Sequence, residues 1–163
     1  MSFYKGPIII AHRGLMYGPN KLLENRENTI IEALENGFDV EVDVWYENNN
    51  FYLGHDKPEH LTKLSFLHSI CKNAWFHAKN IVTFNRLLAF DKSFNSFFHN
   101  VDDCTLTTKG YIWTYPGKEL TDNSIAVLPE LAPESYDITN AIGICTDYTF
   151  KFKENLNFRP KTK

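Results

Sequence analysis

The stretch FDVEVDVWYENNNFYLGHD, residues 38–56, decides the predicted fold. Valines and acidic residues alternate along its first half, and this period of two is typical of a strand with one apolar face and one acidic face. The three asparagines that follow favour a turn, and the apolar Phe-Tyr-Leu after them predicts a short returning strand. This hairpin would bring His55 back toward Glu41 and Asp43.

Upstream of the hairpin, the sequence predicts another strand and a helix. The unbroken apolar run at 8–11 is typical of a fully buried strand in a parallel sheet. Asn28 or Thr29 is suited to cap the helix that follows. Glu32 completes a capping box with Thr29, and Gly37 stands where a helix would end. Strand, helix and strand then form a right-handed βαβ unit.

Downstream of the hairpin, further short apolar runs predict more strands, and the segment 82–90 predicts a helix. Several later connections are too short for full helices, and prolines interrupt their periodicity. The helical layer is therefore expected to be incomplete. The predicted strands lie at 74–78, 96–101, 110–114, 124–128 and 141–146.

The length and composition predict one domain, at residues 1–150, followed by a basic C-terminal tail at 151–163. A net charge of -3 argues against a nucleic-acid partner and against a general attraction to an anionic membrane. Apolar runs fall short of the roughly 18 residues of a membrane span, so stable membrane insertion is not expected. The three cysteines are widely spaced without a C-x-x-C pair, which argues against a disulfide framework and favours a cytoplasmic location.

Two acids, two histidines and an arginine are candidates for a catalytic site. Glu41 and Asp43 share one face of a strand, about 6.6 Å apart along the backbone, and suit a hard cation such as Mg²⁺ or Ca²⁺. His12 and Arg13 follow the buried strand at its carboxyl end, where parallel sheets place their chemistry. The planar donors of arginine suit a phosphate diester, and His55 supplies a second imidazole, so that general base and general acid roles can be divided.

Four short motifs occur in the first third of the chain, and they are AHRG at 11–14, ENT at 27–29, EVD at 41–43 and GHD at 54–56. In order and spacing they resemble the glycerophosphodiester phosphodiesterases. That family shares a phosphodiesterase barrel with phosphatidylinositol-specific phospholipases C and spider-type sphingomyelinases D. The resemblance implies that His12 and His55 are the acid and base pair. It also implies that Glu41 and Asp43 bind the metal and that Arg13 contacts the phosphate.

The resemblance extends less completely to three further positions. Glu27, in ENT, resembles a family carboxylate that contacts the metal or orients the arginine, although an acid at a helix start is also favoured by the helix dipole. The family has a later strand that ends in Glu-x-Lys, and the corresponding WFHAKN keeps Lys79 for phosphate but has His77 in place of the acid. His77 is then a metal ligand that suits Mg²⁺ or Ca²⁺ less well than a carboxylate does. Asp102 or Asp103, at the end of the next predicted strand, is an alternative replacement.

Two later segments, YIWTYPG at 111–117 and GICTDY at 143–148, are similar to late strands of the same barrel. We predict no role for Trp113 or Tyr115, because aromatic residues on strands more often belong to the core. His99 lies on a predicted strand near the two aspartates, and its role stays open.

The resemblance implies a reduced (β/α)8 TIM-type barrel in which several outer helices are shortened or missing. A bare barrel wall would expose an apolar face, so a homodimer is the simplest expectation. The expected function is metal-dependent hydrolysis of a small glycerophosphodiester-like substrate through a cyclic phosphate, formed when a vicinal hydroxyl of the substrate attacks phosphorus. Two alternatives stay open: a non-catalytic phosphate-binding barrel, and a phospholipid head-group lyase whose final product is the cyclic phosphate.

Overall fold

The computed structural model describes residues 7–90 and 92–155, and within them ten strands form one curled sheet. The strands are β1 (Ile8–Ala11), β2 (Asp39–Glu47), β3 (Asn50–Leu53), β4 (His60–Thr62), β5 (Ala74–Ala78), β6 (Asn95–Phe97), β7 (Cys104–Leu106), β8 (Ile112–Thr114), β9 (Ser124–Val127) and β10 (Gly143–Thr146). The same residues contain four α-helices, which are α1 (Glu27–Glu35), α2 (Leu64–Ile70), α3 (Ile81–Phe90) and α4 (Thr149–Glu154). Short 3-10 turns follow β1 at His12–Gly14 and β9 at Pro129–Leu131.

The sheet combines a parallel body with antiparallel additions. Its parallel strands lie side by side in the order β6, β5, β2, β1, β10, β9 and β8. β3 pairs antiparallel with the second half of β2, β4 pairs antiparallel with β3, and β7 pairs antiparallel with β8. The amide of Thr108, just after β7, donates to the carbonyl of Ser96 in β6 at 2.9 Å. The sheet is therefore curled into a half-barrel.

The prediction of a reduced (β/α)8 TIM-type barrel is wrong. The structure is mostly sheet, strands and helices do not alternate around it, and β3, β4 and β7 run antiparallel to their neighbours. The connections at 98–103, 107–111 and 115–123 contain no α-helix, and 128–142 contains only a 3-10 turn. These connections are short or broken by proline, so they have no amphipathic segment long enough to cover the sheet.

The βαβ unit forms as predicted at its parallel strands, but its helix begins differently. α1 starts at Glu27 with Arg26 as its N-cap, and no side chain caps it, so the predicted capping box is wrong. Thr29 is instead buried inside the helix. The predicted end is confirmed, since Gly37 adopts a φ of 84° and its amide donates to the Leu34 carbonyl at 3.0 Å.

The helix-covered face of the sheet carries the larger apolar core. Val40, Val42 and Val44 of β2 are fully buried there, together with Ile30 of α1 and Leu87 of α3. Period-two alternation therefore sends the valines outward, toward the helices, and sends the acids of the same strand to the inner face.

The inner, concave face of the sheet carries a cluster of aromatic side chains and, on the same face, two acidic side chains. Trp75, Phe97 and Trp113 pack together, with centroid distances of 4.6 Å between Phe97 and Trp113 and 5.8 Å between Trp75 and Trp113. Glu41 and Asp43 lie on this face, only 2% and 1% exposed. The acidic face of the predicted strand is thus enclosed by the curl of the sheet.

The predicted basic tail begins inside α4, which lies against β1 and the residue that precedes β2. Phe150 meets Phe38 edge-to-face, with ring centroids 5.1 Å apart. Residues 156–163 of the predicted tail lie outside the described residues. The homodimer also stays a prediction, because the structure contains one chain. Among residues 7–90 and 92–155, no helix combines the length and the apolar character required to cross a membrane.

Candidate functional site

The candidate site lies at the carboxyl ends of the parallel strands. Asp43 of β2 stands in register with His77 of the neighbouring β5, and Glu41 precedes Asp43 on the same inner face. One ligand atom from each of these three side chains lies within 4.8 Å of the others. The predicted metal residues Glu41, Asp43 and His77 are therefore brought together.

Asp43 is surrounded by positive charge. Its Oδ1 lies 3.1 Å from both His77 Nδ1 and Lys79 Nζ, and its Oδ2 lies 3.3 Å from Arg13 Nε. Asn25 Nδ2 donates to Oδ2 at 2.9 Å, and Asn25 Oδ1 accepts from the Asp43 amide. Burial alone would raise the pKa of Asp43, but its neighbours hold that pKa far below its usual range.

The three-residue group is one that could hold a divalent cation. Asp43 Oδ1 is buried and makes only ion-pair contacts, without hydrogen-bond geometry. Glu41 Oε1 lies 3.6 Å from His77 Nδ1, and its other oxygen accepts from the Arg13 amide at 3.0 Å. A pair of carboxylates with one imidazole is a usable donor set, although the imidazole is a softer ligand than Mg²⁺ or Ca²⁺ prefers.

His12 is oriented by a carboxylate at the other end of the chain. Its Nδ1 donates to Asp147 Oδ1 at 2.8 Å, and Asp147 directly follows β10, which pairs with β1. Burial lowers the pKa of His12, but the hydrogen bond to Asp147 and the charge of Glu41 raise it by more, so the pKa lies above its ordinary value. Sequence reasoning missed Asp147, and its only signal was an acid directly after a buried strand.

Arg13 is held in an uncommon backbone conformation, with a φ of 54° in the left-handed region. Its guanidinium Nη1 donates to Glu24 Oε2 at 2.9 Å, a partner that sequence reasoning also missed. Gly14 follows with a φ of 80°, and a Cβ there would lie 3.1 Å from the Ile30 amide nitrogen of α1. Glycine is thus needed where the chain turns from β1 toward the first helix.

The loop that carries His55 begins next to Asp43, but the His55 side chain is more open to solvent than that of His12. The amide of Gly54 donates to the Asp43 carbonyl at 3.3 Å, so the end of β3 is anchored next to the site. The His55 side chain is 36% exposed, compared with 12% for His12, and its Nδ1 donates to Asp56 Oδ1 at 2.7 Å. The backbone of the hairpin therefore returns to Asp43, and the role of His55 in the site stays a prediction.

Three other predicted acids are not brought into the metal group. Glu27 Oε1 accepts from Thr62 Oγ1 at 2.6 Å, so its carboxylate links α1 to β4. Asp103 is exposed and pairs with Lys118 at 2.7 Å, and Asp102 is also exposed. Of the candidates for a third ligand, His77 is the one that lies with Glu41 and Asp43.

A row of stacked rings continues the site beyond His77. The His99 ring lies 4.9 Å from His77 and 4.3 Å from Tyr115, measured between centroids. His99 Nδ1 and the Tyr115 hydroxyl are buried without a hydrogen-bond partner. Burial, with the charges of His77 and Lys79, lowers the pKa of His99 to about 4, and burial together with the charge of Glu41 raises the pKa of Tyr115. Both side chains are therefore uncharged at neutral pH.

Comparisons with protein-family models, with curated proteins and with solved structures found no match for this chain. The resemblance to the glycerophosphodiester phosphodiesterases consequently stays a prediction from its short motifs. A cavity of about 960 Å³ lies at the opposite end of the sheet, lined by residues such as Asp39, Asn95 and Tyr111. None of the predicted site residues lines it, and the aspartate in it is bonded to neutral donors, so we place the candidate chemistry at the carboxyl ends.

Proposed function

We propose that the protein is a metal-dependent phosphodiesterase that hydrolyses glycerophosphodiester-like substrates through a cyclic phosphate. One observation carries the proposal. Two cationic side chains, Arg13 and Lys79, both contact Asp43, and Asp43 belongs to a three-residue group that fits a divalent cation. A phosphate diester needs this combination of positive charge and fixed geometry.

The residues of the site have complementary tasks in this proposal. Arg13 and Lys79 bind the phosphate oxygens, and the carboxylates around them fix their direction. Mg²⁺ or Ca²⁺, when held by Glu41, Asp43 and His77, would supply further neutralisation of charge at the phosphate.

Proton transfer is assigned to the two histidines. Asp147 engages the Nδ1 of His12, so His12 would exchange a proton with the substrate through Nε2. The paired carboxylate fixes the tautomer and stabilises the charged imidazole, as in other carboxylate–histidine pairs. His55 is held by Asp56 in the same way, from the loop that follows β3. One imidazole accepts the proton of the attacking group and the other protonates the leaving alkoxide.

The attacking group is a hydroxyl of the substrate. The four motifs place no serine or cysteine beside their histidines, so the protein offers no evident nucleophile there. A vicinal hydroxyl, deprotonated by one histidine, forms a bond to phosphorus as the bond to the leaving alkoxide breaks. Water then opens the cyclic phosphate, with the same two histidines exchanging protons in the reverse order.

A non-catalytic phosphate-binding protein is the second candidate, and one feature of the site favours it. Asp43 is already neutralised by Arg13, His77 and Lys79, so the charges of the site are largely compensated without an added cation. Such a site would bind a phosphate group through Arg13 and Lys79 without a metal, and it need not turn that group over.

Phosphorus NMR separates these functions. A glycerophosphodiester is incubated with the protein in the presence of Mg²⁺ or Ca²⁺ and again with a chelator. We expect metal-dependent hydrolysis with transient cyclic phosphate, and we expect a 2-deoxy analogue of the glycerol diester to react orders of magnitude more slowly, because positioned intramolecular attack is lost. Accumulation of cyclic phosphate as the final product would indicate the lyase. Phosphate binding without turnover of any diester would favour the non-catalytic protein.

His60→Ala is a matched control for variants of the site histidines. His60 lies on β4 and approaches Glu59 at 3.9 Å, away from the three-residue group.

The proposal also includes a cytoplasmic location and a small-molecule ligand in place of nucleic acid. The location is supported by the cysteines, since Cys71, Cys104 and Cys145 are all free thiols.

A further inference from the structure

We propose that His99 and Tyr115 form a subsite for the hydroxyl groups of the substrate alcohol, so that the site prefers phosphate esters of polyols. This inference rests on the proposed function in one respect, since it takes Arg13 and Lys79 as the residues that bind the phosphate. It adds a specificity-determining pair that lies beside that phosphate position.

The position of the pair follows from the ends of two strands. His99 lies just beyond β6 and Tyr115 just beyond β8, at the same edge of the sheet as Lys79. The His99 ring stacks on that of His77, with centroids 4.9 Å apart, and it lies tilted against the Tyr115 ring, with centroids 4.3 Å apart. The Tyr115 amide donates to the Asp103 carbonyl at 3.0 Å, which anchors the backbone of this segment. The pair is therefore continuous with the charged group and held in place.

Two polar atoms of the pair have no hydrogen-bond partner in the part of the chain that the structure describes. His99 Nδ1 and the Tyr115 hydroxyl are both buried and make no hydrogen bond. Buried polar groups in folded proteins are almost always hydrogen-bonded, and leaving one without a partner costs free energy. Two such atoms on adjoining rings at the edge of the site lead us to infer that a bound molecule supplies their partners.

The chemistry of the two atoms selects the kind of molecule. An imidazole nitrogen and a phenol hydroxyl offer both donor and acceptor capacity without requiring a charged partner. An alcohol hydroxyl both donates and accepts, so it can satisfy either atom. A quaternary ammonium head group offers no hydrogen bond, and an alkyl chain offers none either. Glycerol and similar polyol esters match the pair, while choline and simple alkyl esters do not.

Calorimetry with two probes tests this pair without relying on turnover. Glycerol 3-phosphate and ethyl phosphate share the phosphate group, but only the first carries hydroxyls on its alcohol. We expect the wild-type protein, with Ca²⁺ present, to bind glycerol 3-phosphate more tightly. We define the ratio as the dissociation constant of ethyl phosphate divided by that of glycerol 3-phosphate. In Tyr115→Phe this ratio should fall by about 2-fold to 12-fold, because only the hydroxyl is removed and one neutral hydrogen bond contributes an amount in this range. Ethyl phosphate should bind the variant as it binds the wild type.

Two further variants complete the test. His99→Phe keeps a ring between its neighbours but removes both nitrogens, and it should lower the same ratio. Tyr111→Phe is the matched control, because Tyr111 lies on the inner side at the start of the same segment and lines the cavity at the opposite end. Its removal of a hydroxyl should leave the ratio unchanged.

The outcomes distinguish the subsite from the proposed function. A wild-type ratio of one, or a ratio that neither Tyr115→Phe nor His99→Phe changes, overturns the subsite, even if diesters are hydrolysed. An equal fall in the Tyr111→Phe control overturns it too, because the effect would then be general. A ratio that falls only in the two subsite variants, with no turnover of any diester, supports the subsite and rejects the phosphodiesterase. Failure of the wild type to bind either probe rejects both.

Discussion

Replacing Asp43 by asparagine removes the negative charge that Arg13, Lys79 and His77 share. Burial lowers the pKa of His77, but Asp43 and Glu41 raise it by more. The carboxylate is 1% exposed and contacts Arg13, His77 and Lys79 at 3.1–3.3 Å. Asparagine has nearly the same shape, so the packing of β2 is preserved and the fold should be retained. What changes is that the guanidinium of Arg13, the ammonium of Lys79 and the imidazole of His77 lose the anion that they share.

The cost follows from the burial of these charges. Removing one partner of a buried ion pair typically costs about 3–5 kcal/mol, because the remaining charge is left uncompensated. Glu41 and Glu24 still neutralise part of the charge on His77 and Arg13, so the lower end of this range is expected. A loss of about 3 kcal/mol is large against the total stability of about 5–15 kcal/mol that is usual for a domain.

Urea unfolding of the wild type and of Asp43→Asn measures the loss. Asp39→Asn is the matched control, because Asp39 lies on the same strand but accepts hydrogen bonds only from the neutral groups of Asn73 and Trp75. We expect the control to lose about 1–2 kcal/mol. A loss in Asp43→Asn no larger than in the control would refute the idea that Asp43 neutralises its three neighbours.

The pH dependence gives a second check on the same residue. The pKa of Asp43 in the folded protein lies below its unfolded value of about 3.9, so its contribution to stability is complete above that value. The contribution is lost as the pH falls through the folded pKa. The difference in unfolding free energy between wild type and variant should therefore shrink only in strong acid.

Three further predictions concern the site. His12→Ala and His55→Ala should each lower the initial rate of diester hydrolysis by at least about 10²-fold, and full activity in either variant would give that histidine another role. Asp147→Asn should lower the pKa of His12, measured by NMR titration, because it removes the carboxylate that raises this pKa. The contribution of the His12–Asp147 pair to the free energy of unfolding is complete below the unfolded histidine pKa of about 6.5, and it is lost as the pH rises through the folded pKa. If the free energy of unfolding of Asp147→Asn depends on pH as that of the wild type does, the pairing is contradicted. Glu41→Gln should weaken Mg²⁺ and Ca²⁺ binding in calorimetry, and equal affinity would remove Glu41 from the metal group.

Local patterns in the sequence were sufficient for the strands that form the site. The apolar run at 8–11 and the strand at 74–78 have the predicted bounds. Period-two alternation correctly placed Glu41 and Asp43 on one face, because side-chain direction along a strand depends only on neighbouring residues. Once β2 and β5 pair in parallel, the same rule brings His77 to Asp43.

The second half of the chain was harder to predict, because the fold was extrapolated from motifs in the first third. The residues after β6 form short strands joined by loops, and no local pattern in them indicates how the sheet is arranged without helices.

The prediction also missed α2, which lies earlier in the chain. Leu64, Leu67 and Ile70 have helical spacing, but the segment is too short for this spacing to indicate a helix by itself.

Partners that come from distant parts of the chain have no local signal. His12 and Asp147 are 135 positions apart, and only the pairing of β1 with β10 brings them together. Asn25 likewise reaches Asp43 from a loop, with a φ of 56° that no pattern indicates. Tyr115 could be assigned to the core from its strand position, but its unpartnered hydroxyl depends on the curl of the sheet.

The pairing of β1 with β10 also fixes the order in which the site can be assembled. A chain made from its amino end has β1 and β2 early, and Arg13, Glu41 and Asp43 can then meet before the second half exists. The partner of His12 follows β10, so it is synthesised last among the site residues. Closing so long a loop is intrinsically slow. A growing chain therefore acquires its cluster of charges first and the orientation of its proton-transfer histidine only when the final strand docks.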